Sequence, residues 1–215
     1  MDAAHRSREQ NDSLKSPVSN AARAPRRPTV VFFGTSLTAG PGLEPEQTYP
    51  AIVARLADSA GTPVNAVNAG LSGETTAGAV RRIEWVLRNP ADLVVIETGA
   101  NDALRGLDPD SARSNIERVV ASVKRVQPHA RIALIQMEAP PNIGNAYTRR
   151  FHAIYPEVAK RERLFLMPFL LQNVAGVSAL NQPDGIHPTP AGARIVAANV
   201  WKSIAPLVRE LSVAR

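Results

Sequence analysis

The sequence predicts an α/β protein: a three-layer α/β/α sandwich around a flavodoxin-like, five-stranded parallel sheet of order 2-1-3-4-5. Short apolar runs of four to seven residues alternate along the chain with stretches whose apolar residues recur at helical spacing. Strands of that kind are buried on both faces, which calls for parallel pairing with helices as crossovers. In this strand order the first strand lies between the second and third, so the loops leaving their carboxyl ends converge at one switch point. The residues after those three strands are small and polar, as a site there requires.

Val30-Val31-Phe32-Phe33-Gly34 is a β-branched and aromatic run closed by glycine and reads as the first, buried strand. A loop with Gly40, Pro41, Gly42 and Pro45 leads to a helix over 48–59, with Pro50 near its start. Val64 to Asn68 forms the second strand, followed by Gly70. Val80, Ile83 and Leu87 share one face of a helix over 75–88. Asp92 to Glu97 is the clearest strand of the chain. Ile116, Val119, Val120, Val123 and Val126 mark a helix over 111–127, starting near Asp110 or Ser111. Arg131 to Met137 is the fourth strand, 145–161 a helix carrying Pro156, and Leu164 to Leu166 the fifth strand. A last helix over 190–211 places Val196, Val200, Ile204, Leu207 and Leu211 on one side. Residues 1–28 are rich in Ser, Asn, Ala, Arg and Pro and read as a disordered tail, leaving 29–215 as one domain.

Composition excludes several classes of function. The chain has no cysteine, hence no disulfide, thiolate metal site or cysteine nucleophile, and its four histidines show no metal-ligand spacing. No metal and no cofactor are expected. Half of the net charge of +6 sits in the first 28 residues, and basic pairs such as Arg81–Arg82 are spread over separate helices without interleaved aromatics. These read as solvated helix faces, so nucleic acid is not an expected partner. No apolar run reaches the ~20 residues of a membrane span, so stable membrane insertion is not expected. The polar start Met1-Asp2-Ala3-Ala4-His5-Arg6 is not a signal peptide as written. The expectation is a cytoplasmic enzyme, or an exported one whose signal has been removed or replaced. Oligomeric state has no signature here.

The chemistry lies in four segments. Gly34-Thr35-Ser36-Leu37 follows the first strand, Asn68-Ala69-Gly70-Leu71-Ser72-Gly73 the second, and Thr98-Gly99-Ala100-Asn101-Asp102 the third; Asp184-Gly185-Ile186-His187-Pro188 precedes the last helix. Acyl transfer needs a nucleophile, a base, a group to orient the base, and donors for the oxyanion. Ser36 at a strand end is the nucleophile candidate, His187 the base and Asp184 its orienter. The Ser36 and Gly70 N–H groups and the Asn101 amide are the oxyanion donors, with the glycine at 70 allowing close approach. Ser72 is the rival nucleophile and reads as a loop hydroxyl. Neither serine sits in the G-x-S-x-G pattern, which argues against an α/β-hydrolase. Asp102 and Glu97 read as structural, His129 as a surface turn residue and His152 as lying on a helix face.

Together these segments resemble the four blocks of the SGNH (GDSL-type) hydrolase family, more narrowly its small bacterial lysophospholipase/thioesterase/arylesterase group. The matching stretches are Gly34 to Gly40, Ser72-Gly73-Glu74-Thr75, Gly99 to Asp102 with Leu104-Arg105-Gly106, and Asp184 to Pro188. The likeness covers about residues 29–212. It implies Ser36, Gly70, Asn101 and His187 as the name-giving residues, with Asp184 completing a triad. Thr35 stands where the family usually has aspartate.

The resemblance also implies a small-molecule ester substrate, with short- to medium-chain acyl or aryl esters first and thioesters or lysophospholipids beside them. Met137, Ala139, Pro140 and Ile186 are the expected substrate-binding residues, the first three in a Pro-stiffened loop over 137–144. Residues 169–180, with Leu170 and Leu171, supply either an apolar acyl surface or ordinary core. Acyl transfer to another acceptor uses the same residues and is the alternative reading. A silent ester- or glycan-binding domain is disfavoured by Ser36, Asp184 and His187 occurring together.

Overall fold

A computed structural model describes residues 27–213, so the expected tail lies outside the described residues except for its last two positions. The chain runs β1 (Thr29–Gly34), α1 (Ser36–Ala39), α2 (Tyr49–Ser59), β2 (Asn65–Gly70), α3 (Thr76–Val86) and β3 (Leu93–Ile96). It continues through α4 (Ala100–Leu104), α5 (Pro109–Val126), β4 (Arg131–Ile135), α6 (Asn145–Glu162), β5 (Phe165–Met167) and α7 (Pro190–Val213). The strands form one parallel sheet of order β2-β1-β3-β4-β5, as expected.

Hydrophobicity places each strand. β3 is buried at every residue and β1 at all but its first, because helices cover both of their faces. The helices fall into two groups: α5 packs on α3 and on α6, and α2 packs on α7. β2 is an edge strand, with Asn65, Val67 and Asn68 exposed, and it runs to Gly70 rather than ending at Asn68. Its extension is the pairing of Gly34 with Gly70, where two residues without side chains let α1 lie across the sheet end.

The remaining differences lie at element ends. α5 begins two residues before the expected start, because Asp108 accepts the Ser111 N–H at 3.0 Å as N-cap and Pro109 occupies the first turn. α1 and α4 have only four and five residues, too short for a periodic signal, and read as loop in the sequence. Both begin within four residues of the end of a central strand and carry Ser36 and Asn101.

Candidate active site

β1 delivers Ser36 to the carboxyl end of the sheet, where it opens α1 after an extended Thr35. The opposing loop, residues 181–188, is closed by a bridge between Asn181 and Pro188 and by the Gln182 N–H donating to the His187 carbonyl at 2.7 Å. Gln182 Nε2 also donates to the Pro41 carbonyl at 2.8 Å and so joins this loop to the one after α1. Asp184 Oδ1 accepts the N–H groups of Ile186 and His187 at 2.9 and 3.0 Å. Its Oδ2 lies 2.6 Å from His187 Nδ1, and His187 Nε2 lies 2.8 Å from Ser36 Oγ. With the carboxylate as acceptor, Nδ1–H donates to it, which leaves Nε2 to accept the serine hydroxyl. The hydrogen bond from His187, helped by the two backbone donors, lowers the Asp184 carboxyl to about 2.

Behind Ser36 lies a second carboxyl. Glu97 is fully buried and accepts the Thr35 N–H at 2.7 Å, the Thr35 hydroxyl at 2.9 and 3.1 Å, and the Thr38 hydroxyl at 2.9 Å. Burial pushes its pKa up against the pull of these donors. Thr35 thus puts a hydroxyl, not a second acid, against the buried carboxyl. Asp102 is also structural: its carboxylate accepts the Thr76 N–H at 2.8 Å and the Thr76 hydroxyl at 2.6 Å, at the start of α3.

The structure brings Ser36, Asp184 and His187 together and leaves Ser72 exposed in the β2–α3 loop. His152 pairs with Glu138, and His129 is an exposed turn residue. Gly70 requires a correction. Its N–H donates to Asn68 Oδ1 at 3.0 Å, and a Cβ there would lie 2.1 Å from Ala39 N, so the glycine admits α1 rather than a substrate. Gly73 has the geometry expected of Gly70. Its φ is +76°, the nearest atom to an added Cβ is an Arg105 nitrogen at 3.8 Å, and its N–H has no acceptor among the described residues. Asn101 Nδ2 donates to the Glu74 carbonyl at 2.9 Å, which sets its amide beside that loop. Sequence alone does not separate two glycines three positions apart after one strand.

Met137 also departs from expectation: it is 2% exposed and packs in the core instead of walling a cleft. Ala139 and Pro140 are half-buried and Ile186 is exposed, while the enclosed space beside Ser36 and His187 lies on the α1–α7 side. Leu37, Leu170, Leu171 and Val196 line it, and its volume of about 10 Å³ matches a water rather than an acyl chain. Leu170 and Leu171 therefore belong to the core and to the site floor at once. Among the described residues no group of three His, Asp or Glu is placed to hold a metal, and no helix is long and apolar enough to cross a membrane.

Residues 32–195 match the model of the GDSL-like lipase/acylhydrolase family. The chain is 38% identical to esterase TesA of Pseudomonas aeruginosa, over 84% of this chain and 89% of that protein. It is 34% identical to an arylesterase of Vibrio mimicus, over 75% of this chain and 80% of the other. In three dimensions it is similar to the psychrotrophic esterase EstA of Pseudoalteromonas sp., in a crystal structure inhibited by monoethylphosphonate. That match has a TM-score of 0.79, 29% identity, and covers 84% of this chain and 98% of that one.

Proposed function

This chain belongs to the GDSL-like lipase/acylhydrolase family, and from that premise we propose that it is a serine esterase of short- to medium-chain acyl and aryl esters, with residues 29–215 as the hydrolase domain. The observation that carries the reading is the hydrogen-bonded line Ser36 Oγ, His187 Nε2, His187 Nδ1, Asp184 Oδ2, with separations of 2.8 and 2.6 Å at its two ends.

Ser36 Oγ attacks the ester carbonyl while His187 Nε2 takes its proton, and Asp184 holds the imidazole tautomer and the imidazolium that forms. The negative charge that develops on the carbonyl oxygen is met by the Ser36 N–H, the Gly73 N–H and the Asn101 amide. Collapse breaks the C–O bond to the alcohol, which leaves with the proton from His187. Water, deprotonated by the same imidazole, then cleaves the acyl-enzyme. Leu37, Leu170 and Leu171, which line the small space beside Ser36 and His187, give the acyl group an apolar surface next to the nucleophile. Ala139, Pro140 and Ile186 stay as rim residues in this proposal, and Met137 does not.

The test is hydrolysis of p-nitrophenyl acetate, butyrate, octanoate and palmitate by wild type and Ser36→Ala. The expected result is loss of turnover in the variant, with its circular dichroism unchanged and its labelling by a fluorophosphonate gone. Activity persisting in Ser36→Ala would move the nucleophile to Ser72. Asn101→Ala should lower kcat by roughly 10²–10³-fold, and an unchanged kcat removes Asn101 from the oxyanion site.

A further inference from the structure

Arg82 reads in the sequence as half of a basic pair on a helix face, and Arg81 is indeed exposed. Arg82 instead turns under the site. Its Nε donates to Glu74 Oε1 at 2.8 Å and its Nη2 to Glu74 Oε2 at 2.6 Å, a bidentate pair with side chains 18% and 4% exposed. Nη1 donates to the Ala69 carbonyl at 3.0 Å and Nη2 to the Gly34 carbonyl at 3.3 Å, while the guanidinium lies 4.4 Å from the centre of the Phe33 ring.

Three chain segments therefore end on one planar cation. Gly34 is the last residue of β1, two before Ser36; Ala69 is near the end of β2; Glu74 follows Gly73. The Gly34 carbonyl also accepts the Leu71 N–H at 2.9 Å, so the strand bearing the nucleophile and the loop bearing Gly73 are bonded to each other as well as to Arg82. From the far side Arg105 Nη2 donates to the Gly73 carbonyl at 2.9 Å. A guanidinium reaches all four acceptors because its donors diverge in one plane; an ammonium is a single point and does not.

We propose that Arg82, fixed by Glu74, is a positioning residue that sets the spacing between the Ser36 hydroxyl and the Gly73 N–H. This rests on the esterase reading above. The oxyanion is held only when the attacked carbon and its oxygen fit both groups together, and a displacement of about 1 Å costs on the order of 10²-fold in rate. The effect belongs to the transition state, so it falls on kcat and not on ground-state binding.

The test compares wild type, Arg82→Lys, Arg82→Gly and Glu74→Gln as full chains, with Arg81→Ala as a control on the same helix and Ser36→Ala as the blank. Each is followed by thermal melting, by kcat and KM on p-nitrophenyl butyrate per fluorophosphonate-titrated site, and with added ethylguanidinium. Expected are a kcat loss of about 10- to 100-fold in both Arg82 variants with KM within about threefold. Glu74→Gln should lose less, Arg81→Ala should match wild type, and ethylguanidinium should raise kcat of Arg82→Gly but not of Arg82→Lys. The rescue is sterically open because Arg82 borders a surface groove between Leu71 and Trp85. Lowered melting temperatures with wild-type kcat per titrated site would overturn the proposal and leave the pair as a fold support. If the Arg82 variants do not fold, wild-type kcat in Glu74→Gln overturns it equally. An active Ser36→Ala would instead strike the assignment of Ser36 as nucleophile, on which the proposal rests.

Discussion

Behind Ser36 the polar groups are buried and bonded to partners far along the chain; the carboxylate that orients His187 is near the surface and bonded within one short turn. Glu97 and Thr35 are 0% and 1% exposed, and their hydrogen bonds join residues 62 positions apart. His187 and Asp184 have side chains 21% and 44% exposed and sit three residues apart. Ser36 is thus held by the same contacts that hold the sheet end together, whereas the His187 imidazole is held by Asp184 within a local turn. Damage to the two halves should appear in different measurements. Buried acceptors left out of a network cost folding free energy, and a lost base costs rate.

The sharpest separation is at His187. His187→Gln should lower kcat by roughly 10⁴–10⁶-fold while moving the melting temperature by no more than about 2 °C, as expected for a change near the surface. Turnover and differential scanning fluorimetry on one preparation check both. A large fall in stability would show that the turn is built into the core and would break the contrast.

Next comes Glu97→Ala, which removes the acceptor for the Thr35 N–H and for the Thr35 and Thr38 hydroxyls. A buried donor left without a partner costs about 1–3 kcal/mol, so stability in urea should fall by at least that much, with turnover lost alongside. Stability equal to wild type would mean that water replaces the carboxyl and that the buried network holds little of the nucleophile turn.

How far each half was legible in the sequence follows the same division. The His187 turn is local, so Asp184 and His187 could be paired from spacing alone, and Ser36 from its place behind a buried strand. Gly70 and Arg82 were misread because long-range packing decides their roles. Both Gly70 and Gly73 suit a loop after a strand, and only the register of β2 against β1, with α1 lying over Gly70, makes Gly73 the free donor. Arg82 differs from Arg81 only in facing the sheet, next in sequence to the buried Ile83. The Glu74-to-Arg82 spacing of eight residues is no helix pair and signals nothing until the β2–α3 loop folds back. Met137 was placed in a cleft wall because its loop leaves the fourth strand at the end of the sheet that carries the site; packing keeps that residue inside.

A smaller effect is expected where Thr35 replaces the aspartate usual in the family. Thr35→Asp would set a second carboxyl about where the hydroxyl now lies, 2.9 Å from Glu97 Oε1. Two buried carboxyls at that distance do not both ionise, so one proton is retained and the folded state binds it more tightly than the unfolded chain. A folded pKa raised above the unfolded one favours folding at low pH, and that contribution is lost as pH rises toward the raised value. Glu97 already stands on this side, since burial raises it. The melting temperature of Thr35→Asp should therefore approach wild type near about pH 5 and fall below it increasingly toward about pH 8. A difference that does not change with pH would mean the two carboxyls avoid each other.

The smallest expected effect is the stability change in Asp184→Asn, and its sign is opposite. Asp184 is lowered to about 2 by the His187 hydrogen bond and two backbone N–H groups. A depressed carboxyl stabilises the fold above its unfolded pKa, ordinarily 3.8 here, and that contribution disappears as pH falls through the folded value of about 2. The group is nearly half exposed, so solvent screens the interaction and little of the shift reaches folding stability. Asp184→Asn should melt slightly below wild type near about pH 6, with the gap closing as pH approaches about 2. Its turnover should fall far more than its stability, because an amide no longer fixes the imidazole tautomer. A melting deficit as large as that of Glu97→Ala would place Asp184 in the folding framework and erase the distinction between the two halves of the site.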